Sequence, residues 1–405
     1  MKRPEWRRRL RVAGIAVVPV LVLLTGCWDR TELNDQAIIV GFGLDKPEDK
    51  EGIELSVQLI APRQVGGQGM GKGSQQGGGG KSTLARIARG MTISDAMSKM
   101  QESLSRKLFW GHSEVMVIGE ELAKEKRFSD YLDFMARYPK TRLNSNIFIK
   151  KGKASDLMQA VPAWELYSAE VVRELAKVRT GLEVSIKDVL EGLSGDSKAA
   201  AIPWIEENPW LDNGQKGQIG LRMNGAAIIK NGRMVKYVDD KLTRGILWLR
   251  NEIQHPTITI TPEEAEGFVS MLQLQAKTEL IPEIKGDHWK MTVKIETEDD
   301  ILENSTNLQL GNVQFKKLLE EETAKDIKNR IEMTLNKIQK EAKADVIGFD
   351  EAFHRKYPKI WEKSKERWNE IFPRVEVEID VKAKIRRPGL STAPQGKPKE
   401  EIKEK

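Results

Sequence analysis

The residues best placed for covalent chemistry are Leu24-Thr25-Gly26-Cys27, which close an apolar run behind a basic N-terminus. Six of the first eleven residues are cationic against the single Glu5, and the thirteen residues Val12 to Leu24 are apolar apart from small residues and Pro19. A charged segment, an apolar segment and a small-residue cleavage site in that order form a secretory signal. The apolar stretch falls short of the ~20 residues a membrane span needs, and Pro19 interrupts its helix. The pattern is a lipobox. It implies transfer of diacylglycerol to the Cys27 sulfur and cleavage ahead of Cys27, so residues 1–26 are expected to be a signal peptide. The alternative is a buried cysteine behind an uncleaved anchor. With lipid on Cys27, residues Trp28, Asp29 and Glu32 would lie within a few residues of the bilayer, as candidates for contact with lipid headgroups or a partner. The competing expectation for them is an ordered first turn packed on the protein's own domain.

Other short patterns approach known chemistry and fail on spacing. Gly80-Lys81-Ser82 resembles the end of a phosphate-binding loop, but Gln75 stands where the motif needs its first glycine. Gly41-Phe42-Gly43 follows a strand, yet Lys46 replaces the third glycine of a dinucleotide fingerprint and Pro47 opens a loop. Gly192-Leu193-Ser194-Gly195 continues into Asp196 where a nucleophile elbow requires glycine. His112, His255, His288 and His354 are isolated from one another, and no thiol remains to bind zinc once Cys27 is lipidated. His112, just ahead of a buried strand, is read as a hydrogen-bonded structural residue. Glu298-Asp299-Asp300 is read as an exposed acidic turn in preference to a calcium site. No nucleophile, base and oxyanion site assemble; neither catalysis nor a cofactor or metal is expected.

Composition supports a folded chain. The full sequence carries 66 Lys+Arg and 60 Asp+Glu, of which residues 1–26 hold 6 and 1. The expected mature chain keeps 60 against 59, so the basic character resides in the signal, and no global cationic field argues for nucleic acid. A hydrophobic content of 39% is enough for real cores. After Cys27 no apolar run approaches a membrane span.

The elements that position these residues alternate between β and α. Gln36 to Leu44 reads as a strand, and Ile53, Leu55, Val57 and Leu59 alternate with Glu54, Ser56 and Gln58 as a half-buried one. Residues 66–80 hold nine glycines in fifteen and read as a flexible loop. Leu84 to Arg89 (strand), a helix capped by Thr92, Glu114 to Ile118 (strand), short helices over Glu120 to Ala136, and Asn146 to Lys150 (strand) follow. Trp164 to Val178 is expected to be a helix with Leu166, Val171, Leu175 and Val178 as its apolar stripe. Asn208 to Gly214 is a cluster of turn formers, and Asn231-Gly232 marks a hairpin between two further strands. Strands at Phe268 to Leu280 and His288 to Glu296 precede the longest helix, Val313 to about Lys343. Phe353, Tyr357, Trp361, Trp368 and Phe372 continue a helical face across Pro358, and Val375, Val377, Ile379 and Val381 form a final strand. These Met and aromatic stripes read as core. The fold class is α+β: mixed sheets with packed helices, in two to three domains, with a long helix near the C-terminus. The expected division is 27–207 for an N-terminal mixed domain, 208–217 for a linker, 218–387 for a C-terminal domain and 388–405 for a disordered Pro/Lys/Glu tail.

Several motifs in order resemble the C-subunit family of spore germinant receptors, Ger(x)C. Cys27-Trp28-Asp29-Arg30-Thr31-Glu32 is similar to that family's mature start and leads to an Ile/Val-rich strand and Gly43-Leu44-Asp45. Gly90-Met91-Thr92-Ile93-Ser94-Asp95-Ala96 resembles its helix start. Leu108-Phe109-Trp110-Gly111-His112 leads into Val115-Met116-Val117-Ile118-Gly119, and Trp361-Glu362 and Trp368-Asn369 lead through Phe372-Pro373 to the last strand. The resemblance spans nearly the whole expected mature chain. The long glycine-rich loop is the main departure. The resemblance implies a lipoprotein of three mixed α/β domains on the outer face of the inner spore membrane, without catalysis. It further implies a multispanning A subunit and a transporter-like B subunit as partners, together sensing small nutrients; whether this subunit binds a nutrient itself stays open. A solute-binding lipoprotein serving a transporter is the rival reading, and it would need a cleft between two similar lobes.

Overall fold

The computed structural model describes residues 35–48, 51–60, 83–126, 128–162, 165–208, 220–389, 391 and 398–403. The expected signal peptide, Cys27, Trp28, Asp29, Glu32, the glycine-rich loop 66–80 and all but Asn208 of the 208–217 linker lie outside those residues.

The first sheet grows from the β-branched segments. β1 (Gln36–Asp45) pairs antiparallel with β2 (Ile53–Ile60), and β2 with β3 (Thr83–Gly90). On its other side β1 runs parallel to β4 (Lys107–Phe109) and then to β5 (Val115–Gly119), which continues to β6 (Asn146–Lys150) and β7 (Ala199–Glu207). The antiparallel hairpin β8 (Leu221–Lys230) and β9 (Arg233–Val238) completes nine strands, and it turns through Asn231 and Gly232, both at positive φ. Two residues at positive φ are what a hairpin turn with the twist of its strands demands.

Helices cover both faces of this sheet. On one face lie α1 (Ile93–Glu102) and α2 (Phe128–Arg137); Thr92 caps α1 by accepting from the Asp95 N–H, as expected. On the other lie α3 (Ala154–Gln159) and α4 (Ser168–Lys177), packed over Val40, Val115, Val117 and Phe148. A register shift between Ile39 and Gly41 lets Ile39 and Phe42 share one core while Val40 faces the other. That is the effect of a bulge, which inserts one residue and flips the alternation.

Two expectations change here. β2 is buried on both faces: Ser56 is 0% and Gln58 1% exposed, beneath α3 and α4. The polar side chains are satisfied instead of solvated, with Gln58 Nε2 donating to Met158 O and Ser168 Oγ and Gln58 Oε1 accepting from the Ala169 N–H. The stripe of α4 is rotated from the expected one. Leu166 and Val178 are about two-thirds exposed (69% and 68%), and the small residues Ala169 and Ala176 with Val172 face the sheet. A close approach requires this: a Cβ at Gly41 would lie 2.6 Å from the Ala169 Cβ. β8, which follows the expected 208–217 linker, pairs antiparallel with β7 along most of its length.

The second sheet has the order β10-β11-β12-β13, formed by β10 (Thr257–Ile260), β11 (Val269–Lys285), β12 (His288–Asn304) and β13 (Glu376–Arg387). The hairpin arms β11 and β12 reach 17 residues each, β11 running past the expected Leu280 to Lys285 at the turn and β12 past Glu296 to Asn304 at the far end. Alternate residues of β12, from Trp289 to Ile301, face the core, as befits a sheet with one solvated side. That core is closed by α7 (Val313–Leu335), prolonged as a π-helical stretch Asn336–Ala342 and stopped by Lys343 in the left-handed region. α5 (Ile186–Ser194) packs on β7, and α6 (Asp240–Leu249), capped by Asp239, sits between β8 of the first sheet and β11 of the second. Then come α8 (Phe349–Lys356) and α9 (Pro358–Ser364), with Pro358 at the N-terminal turn where its missing N–H costs nothing. Phe353, Trp361, Trp368 and Phe372 are fully buried and pack with the nearly buried Trp289, the Trp289–Phe353 and Trp361–Trp368 centroids lying 4.7 and 5.0 Å apart. Part of the tail expected to be disordered is held: Lys403 pairs with the backbone of Asn307 and Gln309 beside Leu308.

Candidate functional site

The described chain enters at the lower end of the first sheet, nine residues after Cys27, where Gln36 pairs with Lys107 of β4. Because β1, β4, β5 and β6 are parallel, the loops that lead into them share this end. Residues 103–112 and 137–144 meet there, with the Trp110 and Tyr138 rings edge-to-face at 6.3 Å and Ser145 Oγ donating to Ser113 O. Phe109 is 37% exposed. Between α1, α2 and β4 lies a groove of about 380 Å³ lined by Leu108, Trp110, Phe134 and Tyr138, with Lys107 and Lys140 also at its wall.

The near-motifs have structural explanations. Gly41 and Gly43 lie inside β1, where a Cβ on Gly43 would come within 2.6 Å of Ser56 Oγ and 2.8 Å of the Ala154 Cβ; they admit α3 and α4 against the sheet. Asp45, following them, accepts from the Ala154 and Ser155 N–H groups at 2.7 and 2.8 Å and so caps α3 from a neighbouring strand. Burial pushes the Asp45 pKa up, opposed by those two bonds. Gly192 to Gly195 closes α5 and leads from helix to strand, the reverse of a nucleophile elbow. Gly80-Lys81-Ser82 lies outside the described residues.

Two readings of titratable residues are corrected. His112 is exposed and touches Phe109 edge-on at 5.8 Å, without a hydrogen bond among the described residues. Glu298-Asp299-Asp300 is no turn but part of β12, with the Asp299 side chain on the core face at 0% exposure. Burial drives its pKa to about 6, against a bond from Thr297 Oγ1 at 2.7 Å. Among the described residues, no group of three or more His, Cys, Asp or Glu side chains is placed to hold a metal.

Where the two sheets meet, a set of carboxylates joins distant segments. Asp345 is buried; its oxygens accept from the N–H groups of Ile347, Gly348, Phe349 and Asp350 and from the Trp368 indole. Asp350 beside it is pushed up to about 7, by burial first and by the Asp345 charge second. Burial pushes the Asp345 pKa up as well, opposed by the bonds from the Asp350, Ile347 and Phe349 N–H groups and the Trp368 indole. Ser197, ahead of β7, bonds Asp350, and Asp196 accepts from the Trp361 indole at 2.7 Å. These contacts fasten the α5–β7 loop of the first sheet to the aromatic cluster of the second. Beside them opens a cavity of about 700 Å³, lined by Arg250, Arg355, Glu191, Asp350 and Thr278 among others, with neither histidine nor cysteine in its wall. Its chemistry is that of a charged seam between packed units. Sequence reasoning missed Asp196, Asp345 and Asp350; an Asp a few residues ahead of α8 was the one local signal, a helix-start preference.

Two family profiles match the chain: the spore germination protein N-terminal domain over residues 29–207, and the spore germination B3/GerAC-like C-terminal domain over residues 224–389. Spore germination protein KC of Bacillus subtilis (strain 168) is 30% identical over 405 residues, covering 96% of this chain and 98% of that protein. Spore germination protein B3 of the same organism is 21% identical, covering 90% and 95%. The crystal structure of the GerBC protein superposes with a TM-score of 0.56 at 18% identity, over 88% of this chain and 99% of that one, and so shares the fold. The chain belongs to the GerAC-like family of spore germination proteins.

Proposed function

We propose that this chain is the lipid-anchored, non-enzymatic C subunit of a nutrient germinant receptor. It serves spore germination on the outer face of the inner spore membrane, beside a multispanning A and a transporter-like B subunit. Family membership over nearly the whole chain carries the proposal, and relatives named spore germination proteins A3 and B3 fit a multi-subunit assembly. The lipobox ending at Cys27 supplies the anchor. Among the described residues no helix is long and apolar enough to cross a membrane; in this reading the lipid on Cys27 supplies residence there. Each buried methylene adds about 0.8 kcal/mol, which makes two acyl chains a lasting hold. Confinement to a plane raises the effective concentration of membrane partners, so modest contacts suffice for assembly.

The rival, a solute-binding lipoprotein, calls for two similar lobes. The two sheets here differ in strand number, nine against four, and in topology. A Cys27→Ala replacement at the native locus tests the proposal: the protein should fold, leave the membrane fraction, and abolish the response to nutrients. Full membrane retention with a normal response would overturn it.

A further inference from the structure

The loops at the end of the first sheet that receives the N-terminal segment are basic. The two loops, residues 103–112 and 137–144, contain five Lys and Arg side chains and no Asp or Glu, although the expected mature chain is almost neutral. Arg137 is tied to Asp133 and Arg142 reaches Glu114 only at 4.0 Å. Arg106, Lys107 and Lys140 are in no ion pair among the described residues. With Asp133 and Glu114 at their margins, the loops thus keep Arg106, Lys107 and Lys140 available beside exposed Phe109 and an aromatic-walled groove. Cations around an apolar slot are the chemistry of an anionic amphiphile at an interface.

The tether fixes which surface this chemistry meets. Lys107 is the ladder partner of Gln36, and nine residues from Cys27 span at most about 30 Å at ~3.3–3.6 Å each. A lipid on Cys27 therefore keeps this end of the sheet within reach of the bilayer.

We propose that loops 103–112 and 137–144 are the membrane-facing surface of the anchored protein. Lys107 and Lys140 pair with the phosphates of anionic phospholipids, and Phe109 and the groove accept the upper methylenes of their acyl chains. The proposal rests on the lipid anchor at Cys27. It adds a fixed orientation: the first sheet stands with the N-terminal ends of β1, β4, β5 and β6 toward the bilayer, which leaves the second sheet and its seam for protein partners.

The test uses the natural lipidated chain on vesicles of pure phosphatidylglycerol or pure phosphatidylcholine, read by flotation and by amide hydrogen exchange. Flotation reports the anchor, and exchange reports the face. On phosphatidylglycerol, amides of 103–112 and 137–144 should be protected relative to phosphatidylcholine, and the protection should fade as salt shortens the screening length from about 10 Å at 0.1 M to about 3 Å at 1 M. A Lys107→Glu/Lys140→Glu variant should float unchanged, keep its exchange pattern in both cores, and lose the protection. Flotation without protection of these loops, or protection of another surface, would overturn the proposal while leaving the anchor standing. Failure to float would remove the anchor and the proposal together.

Discussion

Replacing Asp299 by Asn should make the protein more stable at alkaline pH and leave it nearly unchanged in acid. Asp299 lies at 0% exposure on the core face of β12. One of its oxygens accepts from Thr297, and the other has no partner. Burial raises its pKa from 3.8 to about 6, with the Asp300 charge as a smaller cause. The folded state thus binds this proton more tightly than the unfolded chain. Stability from this group is full below about pH 4, falls as pH rises through about 6, and is flat above. A shift of roughly two units at 1.36 kcal/mol each amounts to about 3 kcal/mol. Asn matches the shape, can still accept from Thr297 Oγ1, and carries no charge to desolvate. The measurement is urea unfolding followed by tryptophan fluorescence at about pH 4 and about pH 8 for both proteins, with the difference of differences isolating this residue from other carboxylates. The variant should gain up to about 3 kcal/mol over the parent between those two conditions. Equal destabilisation at both pH values would mean that the carboxylate is charged and structurally required, and the burial argument would be wrong.

Two further perturbations probe the joints. Gly245 of α6 crosses α7 at Thr334, where a Cβ would lie 2.0 Å from Thr334 Oγ1. Gly245→Ala should therefore lower stability by about 1–3 kcal/mol through overpacking, although helix propensity alone predicts a gain of about 1 kcal/mol; a rise in melting temperature would show that the helices separate freely. Trp361→Phe removes the indole donor to Asp196 and should cost about 1.5–3 kcal/mol, the range for bonds to charged groups. A double-mutant cycle with Asp196→Ala should show coupling, and additive losses would mean that the bond does not join the two sheets.

The strands rich in Ile and Val were legible in sequence because alternation and β-branching act locally, and the Thr92 cap and the Asn231-Gly232 turn were legible for the same reason. β7 was not. Its Ala199-Ala200-Ala201 start lacks β-branching, and Pro203 argues against a central strand; in the structure Pro203 sits at a register shift. Alternation in β2 could not say that Ser56 and Gln58 are covered, since that depends on helices about 100 residues away. The face of α4 was misjudged because the space at Gly41 favours alanine over the larger side chains that periodicity weights most. The Asp196–Trp361 bond spans 165 positions and has no local signature. The proposed anchor shows the opposite balance: the motif that suggests it, Leu24 to Cys27, is read wholly from sequence.

The proposed receptor role depends first on covalent lipid at one sulfur, and intact-mass and peptide mass spectrometry of the protein isolated from spore membranes examines that atom. The expected result is a chain beginning at Cys27 whose sulfur carries diacylglycerol. A free Cys27 thiol, or a chain that still carries residues 1–26, would contradict it.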